Sequence, residues 1–179
     1  MKMRNGIATL NNVFKLYDMQ SGTALDGTVT VELPAFELMT NSFKGAGVAG
    51  EVNVPAPGMM SAQTATIKVP IIYGAITKYM ELGTTRILDL RNEIIVLNKD
   101  THAAEKVPNR WVLKGPLSQA NPGSVEQGAA GESSIVMQVY YVHHWIDGID
   151  VLEWDVFKGI HTVNRYDLFE IIRRNVFVG

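Results

Sequence analysis

The chain has 179 residues, enough for one domain with a real core and no need of metal or disulfide support. Its net charge of −2 offers no basic footprint for tight nucleic-acid binding, and the absence of cysteine excludes disulfide scaffolds, thiolate zinc sites and cysteine nucleophiles. With 46% hydrophobic and 19% charged residues, it reads as a folded protein with fewer surface charges than usual, as suits a surface that a partner will cover.

Met1 to Asn12 has two early basic residues but no apolar stretch of signal-peptide length, and no window approaches the roughly 18 apolar residues of a membrane-spanning helix. The expectation is a soluble protein that is not exported by a signal of its own. Phe14 to Tyr17 reads as a first short strand, closed off by the Ser21-Gly22 and Asp26-Gly27 turn signals. Val29-Thr-Val-Glu-Leu33 alternates until Pro34 interrupts it, the pattern of a strand at a sheet edge or bend. Asn41 to Ala62 follows, rich in small residues and holding Gly45, Gly47, Gly50, Pro55, Pro57 and Gly58. It is too long for an ordinary connection inside a compact domain, so it reads either as a surface loop or as an extended arm ordered against a neighbouring subunit. Glu51 to Val54 is a candidate arm of a hairpin within it.

Thr64 to Ile72 alternates as a strand. Ala75 to Leu82 has Ile76, Tyr79 and Met80 at helical spacing before Gly83, and reads as one short internal helix. Arg86 to Leu90, Glu93 to Leu97 and Trp111 to Lys114 are three further strands, and Gly115 to Gly131 is a proline- and glycine-rich turn region. The chain closes with a long extended run from Ile135 to Ile146, an Asp147-Gly148 turn, a returning strand from Ile149 to Phe157, and a helix at 165–176. Many short strands with two helices predict a mainly β, α+β protein: a single domain over 1–179 built as a β-sandwich or partly open β-barrel.

Catalytic signatures are missing: there is no Gly-x-Ser-x-Gly elbow, Walker A loop or His-Glu-x-x-His helix. Gly45-Ala-Gly-Val-Ala-Gly50 matches Gly-x-Gly-x-x-Gly, but the proline-broken extended stretch after it supplies no helix N-terminus for a phosphate. The chain therefore reads as a non-enzyme without cofactor or metal. His143-His144 is its most metal-like feature, yet neighbours on a strand point to opposite faces and cannot chelate one ion together. A two-residue turn at Asp147-Gly148 pairs Ile146 with Ile149, Val142 with Glu153 and Tyr140 with Asp155. That register places Gln138, Tyr140, His144, Glu153 and Asp155 on one, polar face. It sends His143, Tyr141, Trp145, Leu152, Trp154 and Val156 to the other, of which Tyr141, Trp145, Leu152, Trp154 and Val156 are the expected core.

These same residues carry a resemblance. Tyr140-Tyr141, Ile146-Asp147-Gly148, Val151-Leu-Glu-Trp-Asp-Val156, Val163-Asn164 and Asp167-Leu168 follow, in order, the C-terminal pattern of the tail tube proteins of contractile-tailed bacteriophages. Val31-Glu-Leu-Pro34, the glycine-rich Gly45 to Val54, Val112-Leu-Lys-Gly115 and Ala120-Asn-Pro-Gly123 resemble that family's earlier segments. Arg165 and Tyr166 stand where the pattern has Gly-Val, and Trp154 where it has isoleucine. The resemblance implies hexameric rings stacked into a hollow tube that conducts a genome or effector. It also implies sheath, baseplate or tube-initiator, tape-measure and terminator proteins as partners, and a place in the virion tail after assembly in the host cytoplasm. Within that scheme His144, Glu153, Asp155 and Gln138 line the channel as a polyanionic wall. Gly45, Gly47, Gly50, Glu51, Pro55, Pro57 and Gly58 form the inter-subunit arm, Asn164 caps the last helix, and Leu168, Ile171 and Ile172 cover an end of the sandwich. The competing reading is a carbohydrate- or peptide-binding β-sandwich using Trp111, Trp145 or Trp154 as platforms.

Overall fold

The computed structural model describes residues 6–45, 47 and 49–176, with the side chains of Pro57 and Gly58 outside that description. Strands run through most of the chain, and the alternating pattern is clearest in Gln63–Val69 and Ser133–Val139. In chain order they are β1 (Gly6–Asp18), β2 (Thr23–Ala24), β3 (Thr30–Glu32), β4 (Leu38–Phe43), β5 (Val52–Met60), β6 (Gln63–Val69), β7 (Thr85–Asn98), β8 (Ala104–Asn121), β9 (Ser133–Val139), β10 (Tyr141–Ile146), β11 (Ile149–Asp155), β12 (Ile160–Val163) and β13 (Tyr166–Asp167). A 3-10 helix at Gly74–Met80 and an α-helix, α1, at Glu170–Val176 complete the fold. The protein is mainly β with two short helices, and its sheets are open rather than closed into a barrel.

The first sheet runs β13-β12-β11-β10-β8-β7-β1-β2, and β3, β6 and β9 form the second, antiparallel to one another. β8 belongs to both. Its residues 109–114 pair with β10, and Leu117 to Asn121 pair with β9. The long run from Ile135 to Ile146 is therefore two strands, because the chain bends at Tyr140 and changes sheets there. Tyr140 N–H still donates to Lys114 O at 2.9 Å, which holds the bend against β8. The strands expected at Arg86–Leu90 and Glu93–Leu97 are one strand, β7, and the expected turn region begins only after Asn121.

The core lies between the sheets. Leu16, Leu88, Leu90, Leu113, Val142 and Trp154 face Ala65, Ile67, Val69, Ile135, Met137 and Val139, with Tyr79 of the 3-10 helix sealing one side. Each large apolar side chain buried this way contributes roughly 1.5–3 kcal/mol. Asp18 is fully buried beside it, 3.0 Å from Lys78 Nζ. Burial alone would push its carboxyl up, but Lys78 and the hydrogen-bond donors around it, Gln20 N–H foremost, outweigh that and hold it at about 2.

Two parts of the fold stand apart from this core. Among the described residues β4 and β5 pair only with each other, as a two-stranded hairpin whose described side chains are nearly all exposed; Ser61 N–H donating to Glu37 O closes its base at 2.9 Å. At the other end, α1 is shorter than expected and starts later. Asn164 (φ 50°) and Arg165 (φ 68°) form the left-handed turn joining β12 to β13, so Asn164 is no helix cap. Asp167 takes that role, accepting Phe169 N–H at 2.9 Å and pairing with Arg173. Leu168 and Ile171 are exposed and α1 buries none of its residues, so the expected apolar stripe does not cover the sandwich; Phe169, packed edge-on against His161, does that locally.

Candidate functional site

The Asp147-Gly148 turn forms as its sequence demands, with both residues at positive φ (53° and 72°) and Ile146 opposite Ile149. One residue later the register departs from simple alternation. Trp145 pairs with Asp150, but His144 pairs with Leu152, leaving Val151 as a β-bulge whose carbonyl accepts Asn164 N–H at 2.7 Å. Beyond the bulge His143 faces Glu153, Val142 faces Trp154 and Tyr141 faces Asp155. A one-residue slip turns over every side chain relative to its partner strand.

The two faces of the hairpin are consequently repartitioned. Trp154 is buried at 3% exposure, and Leu152 packs against the core from a half-buried position. Tyr141 and Trp145, expected in the core, lie on the outer face with Glu153 and Asp155, and Val156 lies beyond β11 and is exposed. His144, expected in the channel wall, is on the core face at 8% exposure, stacked on Trp111 with centroids 3.6 Å apart. Gln138 does not share this surface either: it lies on β9 in the other sheet, its amide 3.3 Å from Ser118 Oγ.

His144 is held neutral. Asn109, in the orientation that satisfies its neighbours, donates to His144 Nε2 at 2.6 Å and to Trp145 O at 3.1 Å while accepting from Trp111 Nε1 at 3.2 Å. Burial pushes the imidazole down to about 4, and neighbouring His143 adds to that. The unfolded chain binds this proton near the ordinary histidine value of 6.5 and the folded chain does not, so the contribution is complete above the unfolded value and is lost as pH falls towards about 4. Denaturant midpoints should fall across that window, by up to roughly 3 kcal/mol. His144→Gln, which still accepts from Asn109, should flatten the slope; an identical slope in that variant would refute the assignment.

The outer face extends well beyond the hairpin. In register across β1, β7, β8, β10 and β11 it presents Lys15 and Tyr17, Asp89 and Arg91, Arg110 and Lys114, then Tyr141, His143 and Trp145, then Asp150, Glu153 and Asp155. Asp89 is buried beneath two guanidinium groups, accepting from Arg110 Nε at 2.8 Å and from Arg91 Nη2 at 2.7 Å. Burial alone would raise its carboxyl, but the two arginines lower it. Arg110 also lies over the Trp145 ring, 5.0 Å from its centroid. Asp155 is occupied at the strand end, where it accepts the N–H groups of Phe157 and Lys158, each at 3.0 Å. The face thus carries as many basic as acidic groups along these strands, so Glu153 and Asp155 lie on a surface of mixed charge.

The outer face is a broad, ordered sheet surface of balanced charge, with long strands running past the body of the sandwich and a separate hairpin projecting from it. Residues 11–176 match the phage tail tube protein FII family. The chain belongs to that family. It is a structural tail tube subunit, and the family is one of structural proteins rather than enzymes. A solved structure of similar fold is the sheath/tube terminator of an extracellular contractile injection system, PVC, in its extended state. That likeness has 8% sequence identity and a TM-score of 0.50, over 74% of this tube protein and 92% of the other chain. No curated protein matches the tube protein in sequence.

Asp150, Arg91 and Arg110 carry no signal in the sequence that marks them as site residues, while Tyr141 and His143 stood out there but on the opposite face of the hairpin. Asp89-x-Arg91 was legible as two residues on one strand face; the others reach this surface only through the bulge and through pairing with β8.

Proposed function

We propose that the subunit closes into hexameric rings that stack into a hollow tube, and that the tube conducts a genome or effector during ejection. The observation that carries this reading is the pairing of open sheet margins with a projecting hairpin. Among the described residues β1 pairs with β7 on one side, while its other side is covered only by β2 at Tyr17 and Asp18, leaving Gly6 to Leu16 an open edge that bears exposed Ile7, Leu10 and Val13. An open, partly apolar edge of this length is an aggregation liability unless a neighbour completes it, and a ring consumes such edges in a closed set. Stacking is a head-to-tail contact that does not close, so it grows a filament until another protein ends it. The relation of the fold to a sheath/tube terminator supports a sheath and a terminator as partners and the virion tail as its location.

The balanced outer face of β1-β7-β8-β10-β11 suits the lumen in this scheme. Both of its arginines pair with Asp89, and its remaining lysines are balanced by Asp150, Glu153 and Asp155, so the face carries little net charge and binding of DNA phosphates through counterion release is correspondingly weak. The carbohydrate-binding alternative gains nothing from the tryptophans, since Trp154 is buried, Trp111 is stacked on His144, and Trp145 is stacked between His143 and Arg110. Negative-stain electron microscopy of the concentrated protein is expected to show six-fold rings or hollow tubes. Dispersed monomers at every concentration would overturn the proposal.

A further inference from the structure

The bulge at Val151 gathers three metal-ligating groups that alternation alone would have kept apart. Asp150 and Glu153, three residues apart on one strand, would normally point to opposite faces; the extra residue between them turns both outward, and cross-strand pairing brings His143 to Glu153. We propose that His143, Asp150 and Glu153 form a binding site for a divalent transition metal of the zinc class. One ligand atom from each lies within 4.8 Å of the others. His143 Nε2 is 3.1 Å from Asp150 Oδ1, close to the ~3.3 Å between ligand atoms of a tetrahedral zinc with bonds near 2.0–2.1 Å. Asp150 and Glu153 are only partly buried, so small rotations of their side chains close the remaining distance.

The hydrogen bonding around His143 fits a metal better than it fits a plain ion pair. Nε2 is cut off from solvent and, despite its nearness to Asp150, makes no hydrogen bond of acceptable geometry. Nδ1 is 3.0 Å from Tyr141 Oη, which in turn donates to Glu153 Oε1 at 3.4 Å. Tyr141 Oη thus bridges Nδ1 and the Glu153 carboxylate, while Nε2 faces the Asp150 carboxylate without a hydrogen bond. Tyr141 thereby orients two of the three ligands, the supporting role that metal-bound histidines require. The imidazole is fixed by stacking on Trp145, with centroids 3.7 Å apart.

One imidazole and two carboxylates favour zinc and its neighbours in the first transition row over calcium or magnesium, which prefer all-oxygen sites. A bound ion would clamp β10 to β11 across the bulge. The inference goes beyond the tube assignment and is tested on the dissociated subunit, so tube formation and metal binding can fail separately.

The full chain, stripped with chelator and dialysed, is titrated with zinc chloride by calorimetry and with cobalt chloride by visible absorption. The expected results are one zinc per chain, a Tm that rises with zinc, cobalt d–d bands distinct from those of the aqua ion, and no comparable response to magnesium. His143→Gln and Asp150→Asn should abolish binding, and Tyr141→Phe should weaken it roughly 10–100-fold. Zinc binding that survives both His143→Gln and Asp150→Asn would move the ion elsewhere and overturn the proposal. So would a cobalt spectrum of the unmodified protein identical to the free ion, a reading that needs no variant to fold.

Discussion

Gly115→Ala is expected to destabilise the subunit by about 3 kcal/mol or more, enough to abolish soluble expression of a marginally stable domain. The reason is local and steric. A Cβ at position 115 would sit 1.7 Å from Gln138 O and 3.3 Å from Val139 Cα, both backbone atoms that cannot move without parting the strands. This is where β8 stops pairing with β10 and starts pairing with β9, so any displacement there pulls the two sheets apart along their shared strand. Gly128→Ala is the control: φ there is +80°, so strain costs roughly 1 kcal/mol, but a Cβ meets nothing within 4 Å. Urea titration of both variants checks the prediction, and equal midpoints would show that the crossing is not close enough to exclude a methyl group.

Deleting Gly45 to Gly58 is expected to leave a folded monomer that forms no tubes. Among the described residues the β4–β5 hairpin pairs with no other strand, and the deleted part of it places no side chain between the sheets. The residues that tie its base, Phe36 against Trp154 and Ser61 N–H to Glu37 O, lie outside the deletion. What would be lost is the strand carrying Val52 and Val54, both exposed in the subunit, and with it the partner of β4 and its exposed Phe43. Apolar groups left in water along a projecting hairpin gain burial only against another chain, at about 25 cal/mol per Å² covered. Circular dichroism and denaturant midpoints should match the parent while electron microscopy shows dispersed particles. Tubes of normal appearance would remove the hairpin from the assembly mechanism, and a collapsed midpoint would show that it supports the monomer.

Asn41 to Ala62 stood out because about twenty residues rich in glycine, alanine and proline are too long for a connection inside a domain. Its hairpin was only half legible: Glu51 to Val54 falls at the start of β5, but β4, with its unpatterned Leu38 to Phe43, gave no alternation to detect. The opposite error occurred at β1, whose exposed first half has no buried face to impose a period, so only Phe14 to Tyr17 stood out. Strands that wait for another subunit do not carry the in-and-out pattern by which strands are recognised. The 3-10 helix was legible through Ile76 and Tyr79, both buried, although its winding is tighter than an α-helix.

By itself the sequence determined a β-rich single chain without thiol chemistry, the positive-φ turn at Asp147-Gly148, and the family pattern over its closing segment. Each of these follows from short-range rules: period-two burial in Gln63 to Val69 and Ser133 to Val139, and the tolerance of Asp-Gly for left-handed backbone. The tertiary structure alone decided which face of the closing hairpin looks inward. That choice rests on one bulged residue, Val151, and on the bend at Tyr140, neither marked by a glycine or proline of its own. Packing imposes both, since Trp154 must enter the core and His144 must meet Asn109 and Trp111. A strand's side chains alternate without exception until such a slip, and past it every residue changes sides.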